Sequence, residues 1–161
     1  MNDCLLLLGG NVGDRRARLR TALKELGALR GSELLSVSKL YETAPVGPSS
    51  RPFYNCAARL RTALSPMGLL VECKRLETKA GRKPGIRWGA RPLDIDIIKF
   101  NGLKRRTRWL TIPHPRVSER AFALIPLRDI APRWKPNGTD TIAALCLNPP
   151  PETVKIVFNV V

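Results

Sequence analysis

At 161 residues, with 43% hydrophobic and 25% charged side chains, the chain has the make-up of one soluble globular domain rather than of a disordered or fibrous polymer. The apolar run Cys4 to Leu8 is too short for a signal-peptide core or a membrane span. Four widely spaced cysteines with no CxxC and no metal-ligand pattern suit free thiols in a reducing, cytoplasmic setting, while a net charge of +15 points to an anionic partner: nucleic acid, a membrane surface or a polyphosphate.

In chain order, Cys4 to Leu8 reads as a short buried strand ending in Gly9-Gly10-Asn11. Gly9 to Gly13 invites a phosphate-loop reading. It lacks the Lys-Ser/Thr ending of such loops and the spacing of a dinucleotide fingerprint, so a tight turn that needs glycine is the better expectation. A helix follows from about Asp14, its N-cap, to Leu29, with Leu19, Leu23 and Leu26 on one face; Gly31 ends it. Leu34 to Glu42 alternates like one strand, though neither face is cleanly apolar. Thr43 to Pro52, rich in proline, glycine and serine, reads as a shaped loop. Tyr54 to Leu64 resumes as a strand. Ser65-Pro66 starts a second helix, Ser as N-cap and Pro in the first turn, with Leu69, Leu70, Cys73 and Leu76 as its apolar stripe and Gly81 near its end. Cys56 and Cys73 fall at apolar positions, as buried free thiols would.

A basic loop then leads into an apolar strand, Arg87-Trp88-Gly89-Ala90-Arg91-Pro92-Leu93-Asp94-Ile95-Asp96-Ile97-Ile98. The remainder holds Trp109 to Pro115, a helix opened by Ser118, the spacer Asn148 to Pro151 and a last strand-like run, Val154 to Val161. The order β-α-β-β-α-β predicts an α+β, ferredoxin-like sandwich with two helices over one face of an antiparallel sheet, followed by a C-terminal extension. No repeat or linker divides residues 1–161, so a single domain is expected.

Alternation along a strand puts Asp94 and Asp96 on one face and Leu93, Ile95 and Ile97 on the other. Two carboxylates side by side in an apolar run are costly unless a cation compensates them. A divalent ion such as Mg²⁺, bound together with substrate phosphates, would do so, and Arg82, Arg87 and Arg91 offer forks for phosphate oxygens. The bland alternative is a solvated strand face. His114, the only histidine, stands between two prolines, either structural or poised to donate to a phosphate. Phe53 and Asn55 offer a flat face and an amide edge beside the shaped loop.

Together these segments resemble the 6-hydroxymethyl-7,8-dihydropterin pyrophosphokinases, folate-pathway enzymes that move a pyrophosphoryl group from ATP to a pterin alcohol. The matching runs are Leu8 to Asn11, Tyr41 to Pro48, Phe53-Tyr54-Asn55, Glu77 with Gly81-Arg82, Arg87 to Asp96, and Leu110 to His114 followed by Arg120 and Phe122; beyond about Pro132 the likeness fades. The resemblance implies two Mg²⁺ ions on Asp94 and Asp96, with ATP as co-substrate. It implies Arg82 and Arg91 as the catalytic arginines. Glu77, Arg87, Trp88, Arg91, Ile97, Thr111, His114 and Arg120 would form the ATP site. Thr43, Pro45, Val46, Phe53, Asn55, Trp88 and Phe122 would form the pterin site, Phe53 and Phe122 sandwiching the ring. Gly10 stands where serine is usual, a change expected to matter little. The Pro48 to Asn55 segment is one residue short of the pattern, which makes Phe53 rather than Tyr54 the stacking residue; the Arg82 to Arg87 segment is also one residue short, with Pro84 or Lys83 near where another arginine is common. The resemblance further implies a monomer without membrane or nucleic-acid partners. The rival reading is a basic RNA-binding module, since the same element order builds RNA-recognition domains; the strands lack the aromatic pattern those domains use.

Overall fold

The computed structural model describes residues 1–45, 51–83 and 90–160, with Phe158 and Asn159 described by their backbone alone. Val46, Arg87 and Trp88, all singled out above, lie outside the described residues.

Unbroken apolar character from Cys4 to Leu8 requires cover on both faces, and the strand receives it. β1 (Asn2–Gly10) lies between β4 (Phe53–Thr62) and β5 (Asp94–Phe100), antiparallel to both. Alternation then sorts two cores. Cys4, Leu6 and Leu8 join Cys56, Ala58, Leu60, Ile95 and Ile97 under the buried leucines of α1 (Arg15–Ala28) and α2 (Pro66–Lys79). Leu5 and Leu7 join Ala57 and Ile98 under Ala123, Leu124 and Leu127 of α3 (Ala121–Ile130). Each fully buried leucine contributes about 1.5–3 kcal/mol on whichever face it lies.

The helix boundaries follow their caps. Asp14 accepts from the Ala17 N–H at 2.9 Å, and Ser65 Oγ accepts from the Gly68 N–H at 3.1 Å. Gly81, at φ +95, turns the chain after α2 in a conformation that glycine adopts without steric cost.

The strand expected over Leu34 to Glu42 is two strands, β2 (Ser32–Val37) and β3 (Lys39–Thr43). They part at Ser38, whose hydroxyl accepts from the Ala57 N–H at 2.8 Å and donates to the Lys39 carbonyl at 2.7 Å. A side chain has replaced a backbone group in the ladder, and the strand bends there. Both pieces pair with β4, and β8 (Val154–Asn159) adds itself to the outer side of β3. The order is β5-β1-β4-β3-β8 with β2 beside β4: the ferredoxin-like sheet, extended by the C-terminal strand.

The extension also closes the second face of the sheet, and its helix starts later than Ser118. Val117–Glu119 form a single 3-10 turn, Arg120 is extended, and α3 begins at Ala121. The turn lets Val117 enter the second core, and the extended Arg120 re-aims the chain so that Leu124 and Leu127 face the sheet. The short α4 (Ile142–Leu145) packs its buried Ile142 into the same core. Beyond β5, β6 (Arg105–Arg106) and β7 (Thr111–Ile112) form a small hairpin.

Gly9 and Gly10 are strand residues rather than a turn. A Cβ on Gly9 would stand 2.5 Å from Asn55 Oδ1, and one on Gly10 would stand 2.6 Å from the Pro92 carbonyl oxygen. Their smallness admits two neighbours. Gly10 is therefore not an indifferent position, because a serine there would displace the backbone leading into β5.

Candidate active site

The two-residue period of β5 sets Asp94 and Asp96 on the face covered by α3, opposite Gly9 and Leu7 of β1. The same alternation brings Phe53 and Asn55 of β4, with Thr43 of β3, to that face and to the same end of the sheet. Asn55 Nδ2 donates to Thr43 Oγ1 at 2.9 Å, and both residues are buried. Gly9 stands between this amide–hydroxyl pair and the carboxylates, paired with Asn55 on one side and Asp94 on the other, and a side chain there would meet Asn55 Oδ1. Tyr54 points to the opposite face, where the Arg15 guanidinium lies 3.8 Å from its ring centroid. Between the two aromatics, only Phe53 shares a face with Asn55.

The two carboxylates differ in their company. Burial pushes Asp94 up, but the charges of Arg82 and Arg91 outweigh it and hold Asp94 below the usual carboxylate range. Arg82 Nη1 donates to Asp94 Oδ1 and, at 2.6 Å, to Glu77 Oε2, while Arg91 Nη1 donates to Asp94 Oδ2 at 2.6 Å. Among the described residues none donates a hydrogen bond to Asp96. Burial and the Asp94 carboxylate push Asp96 up to about 6, against the pull of Lys74 and Arg120. A half-buried, acceptor-only group beside a like charge fits a cation as its missing partner. No cluster of three or more His, Cys, Asp or Glu side chains converges among the described residues. Two carboxylates alone suit Mg²⁺, which keeps waters and takes further oxygens from phosphates.

Glu77 is 2% exposed and occupied by the protein itself: Lys74 Nζ at 2.8 Å, Arg82, and the Ile95 N–H at 2.9 Å. It ties α2 to the start of β5 and holds Arg82 beside Asp94. Asn11 is a positioning residue that sequence reasoning missed. Its Oδ1 accepts from the Arg91 N–H at 2.8 Å and its backbone N–H donates to the Arg91 carbonyl at 2.9 Å, fixing the Arg91 backbone ahead of β5. The glycines before it were the available signal, since close-packed backbone calls for such a clamp.

His114 is fastened by its N–H to the Ile98 carbonyl at 3.0 Å. Its Nδ1 accepts from the Arg116 N–H at 3.3 Å, which assigns the proton of the neutral ring to Nε2. Burial, then Arg120 and Arg116, push its pKa down, so the ring is neutral at pH 7 and able to donate. Thr111 sits opposite Arg106 in the hairpin. Arg120 precedes α3 with its guanidinium 5.4 Å from the Phe122 ring centroid. Pro45 is exposed at the start of the loop after β3. Ile97, 4% exposed, points away from the carboxylates into the first core.

Part of the positive charge has a place as well. Lys104, Arg105, Arg106 and Arg108 are all exposed on the hairpin. The sheet face that an RNA-recognition domain would offer to bases is covered here by α3, and nothing supports that rival. No helix among the described residues is long and apolar enough to cross a membrane.

Comparison with known proteins identifies the family of the chain. The profile of the family described as 7,8-dihydro-6-hydroxymethylpterin-pyrophosphokinase matches residues 5–132. A 2-amino-4-hydroxy-6-hydroxymethyldihydropteridine pyrophosphokinase of Bacillus subtilis is 38% identical over 139 residues, which is 86% of this chain and 83% of the relative. A mitochondrial folate synthesis bifunctional protein of Pisum sativum is 43% identical over 129 residues, 80% of this chain but only 25% of the pea protein. The fold is that of the Plasmodium falciparum HPPK-DHPS triple mutant solved with SDX-DHP, with a TM-score of 0.69 at 20% identity over 89% of this chain and 41% of that one.

Proposed function

The chain belongs to the 7,8-dihydro-6-hydroxymethylpterin-pyrophosphokinase family, and from that membership we propose that it transfers diphosphate from ATP to 6-hydroxymethyl-7,8-dihydropterin, giving AMP and the pterin diphosphate of folate biosynthesis. The enzyme is a diphosphokinase, and residues 1–161 act as one domain and as a monomer in the cytoplasm. The observation that carries the site assignment is the unequal carboxylate pair: Asp94 neutralised by two arginines, Asp96 by none, with the Asn55–Thr43 pair across Gly9.

Asp94 and Asp96 would hold two Mg²⁺ ions, which when bound supply charge neutralisation at the phosphates and polarise the attacking hydroxyl. The chain's own groups do the rest. Arg82 and Arg91, now paired with Asp94, are the cations available to phosphate oxygens once that carboxylate is otherwise engaged. His114 Nε2–H, Thr111 and Arg120 would serve the nucleotide, with Glu77 holding Arg82 in place; family membership adds Arg87, Trp88 and, through its backbone, Ile97, whose side chain lies in the first core. Phe53 and Phe122 flank the pterin ring, Asn55 bonds its edge, and Thr43, Pro45, Val46 and Trp88 complete that side. No protein nucleophile is needed: alignment of the hydroxyl with the β-phosphorus and stabilisation of the spread charge are sufficient.

AMP formation that requires both the pterin and a divalent ion tests this function. The pterin side has a separate test. Phe53→Ala and Phe122→Ala should each weaken pterin binding by about 1–3 kcal/mol, the scale of base–aromatic stacking, with little change in nucleotide affinity. Tyr54→Ala should spare pterin affinity, because its ring packs on the far face under Arg15. Titration of pterin fluorescence with the three variants distinguishes them; loss of binding in Tyr54→Ala alone would reassign the stacking residue.

A further inference from the structure

Residues 152–154 lie beyond the stretch that matches the family, which ends at 132, yet they touch both sides of the proposed pterin recess. On one side, β8 pairs Val154 with Thr43, and the Ala44 N–H donates to the Thr153 carbonyl at 3.2 Å, fixing the start of the loop after β3. On the other, Glu152 Oε2 accepts from the Phe122 N–H at 3.0 Å. α3 has no capping side chain of its own at Arg120 and no acidic residue in its first turn. Glu152, thirty positions away in sequence, supplies that cap. A carboxylate at a helix N-terminus satisfies an otherwise orphan N–H and opposes the helix dipole. The tail is held in turn by β8 and by the buried Val160, whose carbonyl accepts from Arg20 Nε at 3.2 Å.

We propose that Glu152 is a positioning residue for the pterin: it fixes Phe122 at the N-terminus of α3 while the neighbouring Thr153 and Val154 fix the Thr43–Ala44 side, so that the C-terminal segment sets the distance between the two sides of the recess. The inference rests on the assignment of Phe122 and Thr43 to the pterin site. Glu152 acts through Phe122 and needs no contact with the reacting atoms.

Two variants separate this role from a general contribution to folding. Glu152→Ala removes the acceptor; Glu152→Gln keeps an acceptor oxygen and removes the charge. With Mg²⁺ and a non-hydrolysable ATP analogue present, Glu152→Ala should raise the pterin dissociation constant roughly tenfold, the effect of losing one hydrogen bond to a charged acceptor, and leave that of the nucleotide within about twofold. Glu152→Gln should restore pterin affinity to within about twofold of the unaltered protein. A purely structural role would lower the melting temperature of Glu152→Ala without changing pterin affinity well below it, and that result would overturn the proposal; so would equal losses for pterin and nucleotide. If the unaltered protein makes no pterin diphosphate, the functional assignment fails instead.

Discussion

Asp96→Asn should lower turnover by about 10²-fold or more while making the metal-free protein more stable at pH 7 to 8. The loss of activity is the scale for removing one preorganised electrostatic element from a phosphoryl-transfer site. The gain in stability has a worked sign. The folded-state pKa of Asp96 is raised to about 6 from an ordinary 3.8, chiefly by burial and then by Asp94. The native state therefore binds more protons than the unfolded state between these values. Stability falls as pH rises through that window, and the cost is fully present above it. Asparagine carries no charge and escapes the cost, so the gain should be about 1–3 kcal/mol at pH 7.5 and near zero at pH 4. Urea denaturation at the two pH values measures it. Asp94→Asn should also lose activity but should lose stability, since it removes the carboxylate charge that both Arg82 and Arg91 pair with. Opposite stability effects with a shared loss of turnover are what an unequal carboxylate pair requires.

The second large effect concerns the arginines. Arg82→Ala and Arg91→Ala should lower the single-turnover rate by roughly 10²-fold while changing Mg-ATP affinity little, because their charge is used most where negative charge develops. Arg87→Ala should instead weaken Mg-ATP binding. Asn11→Ala should behave as a mild copy of Arg91→Ala, since it removes the Oδ1 that accepts from the Arg91 N–H and leaves the backbone bond from the Asn11 N–H to the Arg91 carbonyl. Equilibrium binding and rapid quench on the same preparations separate the classes. The division is wrong if Arg82→Ala and Arg91→Ala lose affinity and keep normal single-turnover rates.

The legible parts of the fold were those written locally. Asp14 and Ser65 cap where their side chains can reach the first turn, Gly81 turns the chain after α2, and two-residue alternation put both aspartates on one face. Less legible were features that depend on distant partners. The break at Ser38 exists because Ala57, nineteen residues on, bonds to a side-chain hydroxyl, and nothing in the pattern from Leu34 to Glu42 encodes it. Ser118 resembled a cap, but burial of Val117 in the second core postponed the helix to Ala121. Gly9 and Gly10 looked like a turn because close backbone approach and positive φ call for the same residue. Within the site, residue types and spacing singled out the carboxylates and their arginines. The unequal pairing of Asp94 and Asp96, the Asn11 clamp and the Glu152 cap needed the packed structure.

The measurement that tests the central claim most directly is AMP release from ATP by the purified protein, followed by chromatography with pterin diphosphate quantified in the same samples. The account predicts AMP and pterin diphosphate in equal amounts, only when both the pterin and Mg²⁺ are present, and about 10²-fold less of both from Asp96→Asn. AMP formation without the pterin, ADP as the nucleotide product, or full activity in Asp96→Asn would contradict it.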